Sequence, residues 1–222
     1  MGSFVDLKAE DGHSFKAYRA EPAAKPKGVV IVIQEIFGVN SHIRAVADGY
    51  AKDGYLAIAP ALYDRVQRDF EVGYTPADVQ TGIAATQKAG WDNAMLDIKA
   101  TLASVKSVGK VGIVGYCWGG AASWIAAAKV SGLSASVPYY GGSMPQFKDL
   151  KPACPVMCHF GEQDKSPTPE QAREILALHP AVQGNFYNAG HGFNCDQRDS
   201  YNAEASKLAK SRTLEFFAKH LG

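Results

Sequence analysis

The sequence predicts an α/β protein, a mostly parallel central sheet of about eight strands with helices on both faces. Short runs rich in Val and Ile alternate with longer segments of helical period, as expected when parallel strands are buried on both sides and joined by helices. The 222-residue chain is 46% hydrophobic and 20% charged, which suffices for one extensive core. No repeats, low-complexity tracts or linkers mark a second unit, so residues 1–222 are expected to form a single domain.

Two N-terminal stretches, near residues 4–8 and 14–20, flank the turn sequence EDGHS and predict an antiparallel hairpin at one sheet edge. The segment AEPAAKPKG then acts as punctuation. Six buried strands are expected: VVIVIQ (29–34), LAIAP (56–60), KVGIVG (110–115), ASVPYY (135–140), PVMCHF (155–160) and GNFYN (184–188). Helices are expected over 41–52, 76–108, 118–130, 169–178 and 200–220. Thr75 followed by Pro76 is a good N-cap with proline at the first helical position.

Composition excludes several functions. With 23 Lys and Arg against 22 Asp and Glu, the formal net charge is +1, and the six histidines are scattered. There is no basic stripe for phosphates and no polybasic tail, so neither nucleic acid nor an anionic membrane is expected as a partner. The longest clean apolar runs, such as VVIVI, fall far short of the roughly 20 residues of a membrane helix. The N-terminal MGSFVDLKAE lacks a charged segment followed by an apolar one, and Asp6 stands where a myristoylation motif needs Ser or Thr. A cytoplasmic monomer or weak homo-oligomer acting on a small molecule is expected. Four cysteines without a CxxC pair are no disulfide framework. Cys154 and Cys158 read as strand neighbours about 13 Å apart, too far to share a zinc ion, and hence as buried small hydrophobes.

In parallel sheets, ligands gather at the carboxyl ends of the strands. The residues found there are Glu35, Tyr63 with Asp64, Cys117, Gly141 with Gly142, Asp164 and His191. Gly115-Tyr116-Cys117-Trp118-Gly119 follows an apolar strand and opens an Ala-rich helix, the context of a nucleophile elbow with cysteine at the serine position. The glycines relieve a turn too sharp for side chains, and the helix N-terminus favours a thiolate. A Gly-x-Cys-x-Gly string is weak alone. Its strength comes from Asp164 and His191, which follow on loops after later strands in the α/β-hydrolase order of nucleophile, acid and histidine.

These residues resemble the dienelactone hydrolase family of the α/β-hydrolase fold over nearly the whole chain. The matching motifs are QEIFGVN (34–40), LYDR (62–65), VGYCWGG (114–120), YYG (139–141), GEQD (161–164) and AGHGF (189–193). The resemblance implies hydrolysis of enol-lactones such as carboxymethylenebutenolide, or of related esters, without a metal or organic cofactor. It makes Cys117 the nucleophile, His191 its acid/base partner and Asp164 the orienting carboxylate. Ile36 and Trp118 become the backbone donors to the oxyanion, and Glu35 the carboxylate that takes the thiol proton when substrate arrives.

The family pattern also implies two arginines that recognise a substrate carboxylate, one of them four residues after the histidine and also holding the glutamate. That position is Cys195 here, and DVQTGIAATQ carries no arginine where the second belongs. Arg65, Arg68 and Arg198 read as surface charges, which makes a neutral ester or lactone a plausible substrate. Phe37, Tyr63, Tyr139, Tyr140 and Phe193, with Trp118, are expected to line an aromatic pocket. Two other readings stay open from the residues alone: redox or acyl-transfer chemistry at the thiol, and a hydrolase-fold binding protein with a vestigial elbow.

Overall fold

The computed structural model describes residues 1–222. The strands are β1 (Ser3–Lys8), β2 (Ser14–Ala20), β3 (Val29–Ile33), β4 (Leu56–Pro60), β5 (Val111–Tyr116), β6 (Leu133–Tyr139), β7 (Met157–Gly161) and β8 (Gln183–Tyr187). All eight join one sheet in the order β1-β2-β4-β3-β5-β6-β7-β8. The N-terminal hairpin β1–β2 adds to β4 antiparallel, and every other pairing is parallel. No helix is long and apolar enough to cross a membrane.

The helices are α1 (Ser41–Lys52), α2 (Pro76–Ala89), α3 (Trp91–Val105), α4 (Trp118–Lys129), α5 (Pro169–Leu178) and α6 (Ala203–Leu221). Strand side chains alternate between two cores, as a period of two requires. In β3, Val29, Ile31 and Ile33 join the core under α2–α5, while Val30 and Val32 face α1 and α6. All five are fully buried, each contributing about 2 kcal/mol of transfer free energy. This is why the β3 run reads as continuously apolar.

The long helix expected over 76–108 is two helices. Gly90 adopts φ +70° and ψ 159°, ending α2 and starting α3. Only glycine enters that region without strain, and the break frees α2 to lie across the loop after β3. The approach is close: a Cβ on Gly82 would sit 2.4 Å from the Ile36 carbonyl oxygen. The Thr75 cap forms as expected, reinforced by Asp78 in a reciprocal capping box. Cys154 precedes β7 rather than lying in it, because regular pairing begins only beyond Pro155. Cys158 is fully buried, and Cys154 packs against the same core.

Arg65 is not a surface charge. Its Nε and Nη2 donate to Asp97 Oδ2 and Oδ1 at 2.9 and 2.8 Å, and Nη1 donates to Asp11 at 2.7 Å. Asp97 is fully buried on α3, so this bidentate pair ties the short 3-10 turn Leu62–Arg65 to the helix layer.

A buried polar network fixes β7 and β8, whose loops carry two of the expected site residues. β7 meets β6 at a single strand pair, Tyr139 with His159. The His159 imidazole compensates: Nδ1 lies 2.7 Å from the Tyr187 hydroxyl and Nε2 3.0 Å from Thr213 Oγ1. The Tyr139 hydroxyl lies 2.6 Å from the same Thr213 oxygen. Burial, reinforced by the nearby Arg212, depresses the His159 pKa to about 3. The folded state therefore resists a proton that the unfolded chain binds at about pH 6.5. Stability carried by neutral His159 is present above that value and is lost as pH falls from about 6.5 to about 3. Replacing His159 with Gln, which keeps hydrogen-bonding capacity without proton uptake, should flatten the urea-unfolding free energy across that window. An unchanged slope in the variant would show that His159 does not govern acid stability.

Candidate active site

β5 ends at Tyr116 and α4 starts at Trp118, leaving Cys117 to make the whole turn. It does so at φ 56° and ψ −117°, a left-handed conformation costing roughly 1–3 kcal/mol in a non-glycine residue. The turn is locked on both sides. The Cys117 N–H donates to the Tyr139 carbonyl at 3.1 Å, and its own carbonyl accepts from Gly120 and Ala121. A Cβ on Gly115 would lie 1.8 Å from the Gly119 oxygen, and one on Gly119 would lie 2.4 Å from the Gln34 oxygen. Both glycines are required because strand, turn and helix approach at backbone contact.

Asp164 sits on the loop after β7, 5% exposed, with Oδ1 accepting from the Ser166 N–H at 2.8 Å. His191 sits on the loop after β8. Its Nδ1 lies 2.9 Å from Asp164 Oδ2 and 3.2 Å from Oδ1, so Nδ1–H donates to the carboxylate and Nε2 is left to partner Cys117. Burial opposes protonation of this imidazole, but Cys117, as a negative charge and a hydrogen-bond partner, and then Asp164 outweigh it. The pKa of His191 is held well above the ordinary histidine range. Among the hydrogen bonds of loops, turns and caps, neither the Ile36 nor the Trp118 N–H donates to a protein acceptor. The sequence thus brings Cys117, His191, Asp164, Ile36 and Trp118 to the rim of one cleft of about 580 Å3.

The dienelactone hydrolase family model matches residues 15–221. The chain belongs to the dienelactone hydrolase family. Carboxymethylenebutenolidase of Pseudomonas putida is 33% identical over 96% of this chain and 95% of that one. A Synechocystis protein assigned as a carboxymethylenebutenolidase is 36% identical over 92% and 91%. A solved Klebsiella pneumoniae structure assigned to the dienelactone hydrolases superposes with a TM-score of 0.84 at 30% identity, covering 99% of this chain and 98% of that one. A Pyrococcus furiosus esterase shares the fold at a TM-score of 0.75 and 16% identity, over 100% and 93% of the two chains. As a member of the family this chain is a carboxylic-ester hydrolase with the α/β-hydrolase fold.

Glu35, the first acidic residue after β3, is 1% exposed. Arg198, expected at the surface, faces it instead: Nη1 donates to Glu35 Oε1 at 3.3 Å, and the guanidinium lies 5.5 Å from the centre of the Phe37 ring. Two tight turns, from Cys195 N–H to the Gly192 carbonyl and from Arg198 N–H to the Cys195 carbonyl, fold the chain back and bury residue 195. Gly192 at φ +77° makes room, since its Cβ would lie 2.5 Å from Arg198 Nη1. A cation therefore holds the glutamate in this chain from three residues beyond the family's arginine position. Arg68 is half-exposed and pairs with Asp64, remote from the cleft.

Of the aromatic residues expected to line the pocket, Phe37 and Trp118 do so. Tyr63, Tyr139, Tyr140 and Phe193 lie in the packing behind it, each at most 1% exposed. Tyr63 packs on Trp118 and Phe70, Tyr139 joins the His159 network, and Tyr140 presents its edge to the His191 ring at 5.1 Å. They support the site's residues from the core because strand ends aim alternate side chains into the helix layers. The remaining cleft wall is one that sequence reading missed: Val79, Ile83 and Thr86 of α2, with Ser143, Gln163, Lys165 and Ser166 on loops. Val79 and Ile83, four residues apart, put apolar groups on one face of α2, and Ile83 is exposed.

Removing either charged partner should lower the pKa of His191. In an NMR titration of the imidazole protons, Asp164→Asn and Cys117→Ala should each shift the midpoint downward, the double variant furthest. A midpoint that stays put in both single variants would contradict the charge coupling described here.

Proposed function

We propose that this enzyme hydrolyses small lactones, enol-lactones and esters through a covalent thioester on Cys117. The observation that carries the reading is the strained Cys117 at the β5–α4 turn, coupled to an imidazole whose far nitrogen is held by Asp164. Nδ1–H bonded to the carboxylate stabilises an imidazolium whose Nε2–H faces the sulfur, the arrangement that steadies a thiolate nucleophile. Cys117 Sγ attacks the carbonyl carbon, and the oxygen takes the electron pair beside the N–H groups of Ile36 and Trp118. Collapse breaks the carbon–oxygen bond, the leaving oxygen takes a proton from the His191 imidazolium, and an acyl thioester remains. Water, deprotonated by His191, then attacks that thioester, releasing the carboxylic acid and restoring the thiolate.

Glu35 and Arg198 supply the substrate side of the proposal. The relatives named as carboxymethylenebutenolidases act on a lactone bearing a carboxylate, and Arg198 lines the cleft beside Cys117. A substrate carboxylate would draw Arg198 from Glu35, freeing that buried carboxylate to accept the thiol proton. A neutral ester would leave the ion pair intact. The apolar wall of Ile36, Phe37, Val79, Ile83 and Trp118 favours a small, flat acyl group in either case. Action in the cytoplasm by a single-domain monomer or weak homo-oligomer belongs to the same reading.

Cys117→Ala should reduce hydrolysis of nitrophenyl acetate by at least about 10^3-fold, since a covalent route loses its nucleophile. Near-native turnover in that variant would overturn the mechanism. For the substrate class, kcat/KM of a carboxylate-bearing enol-lactone should exceed that of its methyl ester in the wild type. Arg198→Met should erase the preference through KM; equal effects on acid and ester would assign Arg198 to Glu35 alone.

A further inference from the structure

Behind the Arg198–Glu35 pair lies a cluster that the hydrolytic reaction does not use as a unit. Glu35 follows β3, His42 is in the first turn of α1, and Cys195 is in the loop that carries His191. One donor atom from each lies within 4.8 Å of the others, and all three residues are buried. Glu35 Oε2 and His42 Nε2 have no hydrogen-bond partner, and Cys195 Sγ meets the Tyr74 hydroxyl at 3.4 Å. Buried polar atoms are normally paired, so two unpaired ones in one buried cluster of possible ligands call for a ligand.

The outward-facing atoms of the same side chains are held. Asp196 Oδ1 lies 3.1 Å from His42 Nδ1 and accepts its proton, which leaves the Nε2 lone pair pointing inward. Arg198 holds Glu35 Oε1, leaving Oε2. A carboxylate on the distal nitrogen of a histidine is the support that fixes ring orientation at metal centres.

We propose that Glu35 Oε2, His42 Nε2 and Cys195 Sγ bind a zinc-class divalent cation. One sulfur, one imidazole nitrogen and one carboxylate oxygen suit zinc or cobalt, whereas magnesium and calcium require oxygen shells. Three protein ligands leave a fourth position for water. The charges balance: a thiolate and a carboxylate neutralise the cation, and Arg198 offsets Asp196. Binding breaks the Cys195 S–H bond, forms the metal–sulfur bond and releases the proton to solvent. An occupied site commits the Glu35 carboxylate, so metal binding and proton transfer through Glu35 exclude each other.

Metal-free full-length protein titrated with Co²⁺ should bind one ion per chain, develop thiolate-to-cobalt charge-transfer absorption, and lose it when Zn²⁺ is added. Cys195→Ser should abolish the absorption, and Cys117→Ser should retain it, which separates this sulfur from the cleft thiol. His42→Gln and the supporting change Asp196→Asn should each weaken Zn²⁺ binding by about 10–100-fold in a competition with a chromophoric chelator. Both variants should melt cooperatively, so their affinities decide the matter even where Cys195→Ser folds poorly. Absence of the absorption in the wild type, its loss in Cys117→Ser, or wild-type zinc affinity in both His42→Gln and Asp196→Asn would overturn the proposal. None of these readouts involves ester hydrolysis, so they are independent of the hydrolytic mechanism.

Discussion

The rest of the site depends on the backbone contact between the turn at Cys117 and the ends of the neighbouring strands. Gly115 and Gly119 touch across the turn, Gly119 rests against the Ile33 and Gln34 carbonyls at the end of β3, and Gly120 rests against Tyr139 at the end of β6. No side chain separates these elements. Because α4 is seated this closely, its first residue, Trp118, and the loop after β3, which carries Ile36, line the same cleft as Cys117. The left-handed conformation of Cys117 follows: a non-glycine residue is held there because three glycines have removed every alternative path. The strain raises the thiol above the sheet, where loops from β7 and β8 reach it.

A second constraint is electrostatic. Glu35, Asp164, His191 and Arg198 stand around one cleft, and both carboxylates are almost wholly buried. Such groups weaken a fold unless each charge meets an opposite one. Here Asp164 meets the imidazole and Glu35 meets the guanidinium, with Cys117 adding to the potential on both cations. Site preorganisation and local stability therefore come from the same contacts. The cost is offset by packing elsewhere, notably the His159 network, which anchors β7 and β8 to α6 even though β7 is only lightly hydrogen-bonded to β6.

The framework was legible because it repeats short-range rules. The β3 and β5 runs are apolar on both faces, the Thr75-Pro76 cap is a local signal, and the three strand-end residues Cys117, Asp164 and His191 follow a chain order. What escaped depends on long-range geometry. Gly90 sits inside a sequence of good helical period, and nothing local distinguishes a break from a tolerated glycine. Arg198 looks like one more charged residue in a polar segment. Its place against Glu35 arises from two consecutive turns and from the missing side chain of Gly192, neither of which leaves a periodic trace. The tyrosines at 139 and 140 look suited to a pocket, but the end of β6 directs them into the packing behind it, toward the His159 network and the His191 ring.

The wall contributed by α2 separates what the fold fixes from what it leaves variable. The sheet and the turn at Cys117 meet at backbone-to-backbone contacts that leave no room for a side chain. By contrast, α2 packs on the core through Ala85 and Ala89 and on the loop after β3 through Gly82, while its Val79, Ile83 and Thr86 face the cleft. Substitutions there alter the shape of the cleft without disturbing the backbone contacts that hold Cys117. Position 82 is the exception, since any side chain would meet the Ile36 carbonyl and push α2 from that loop. The shape of the cleft is therefore coupled, through α2, to the position of the loop after β3.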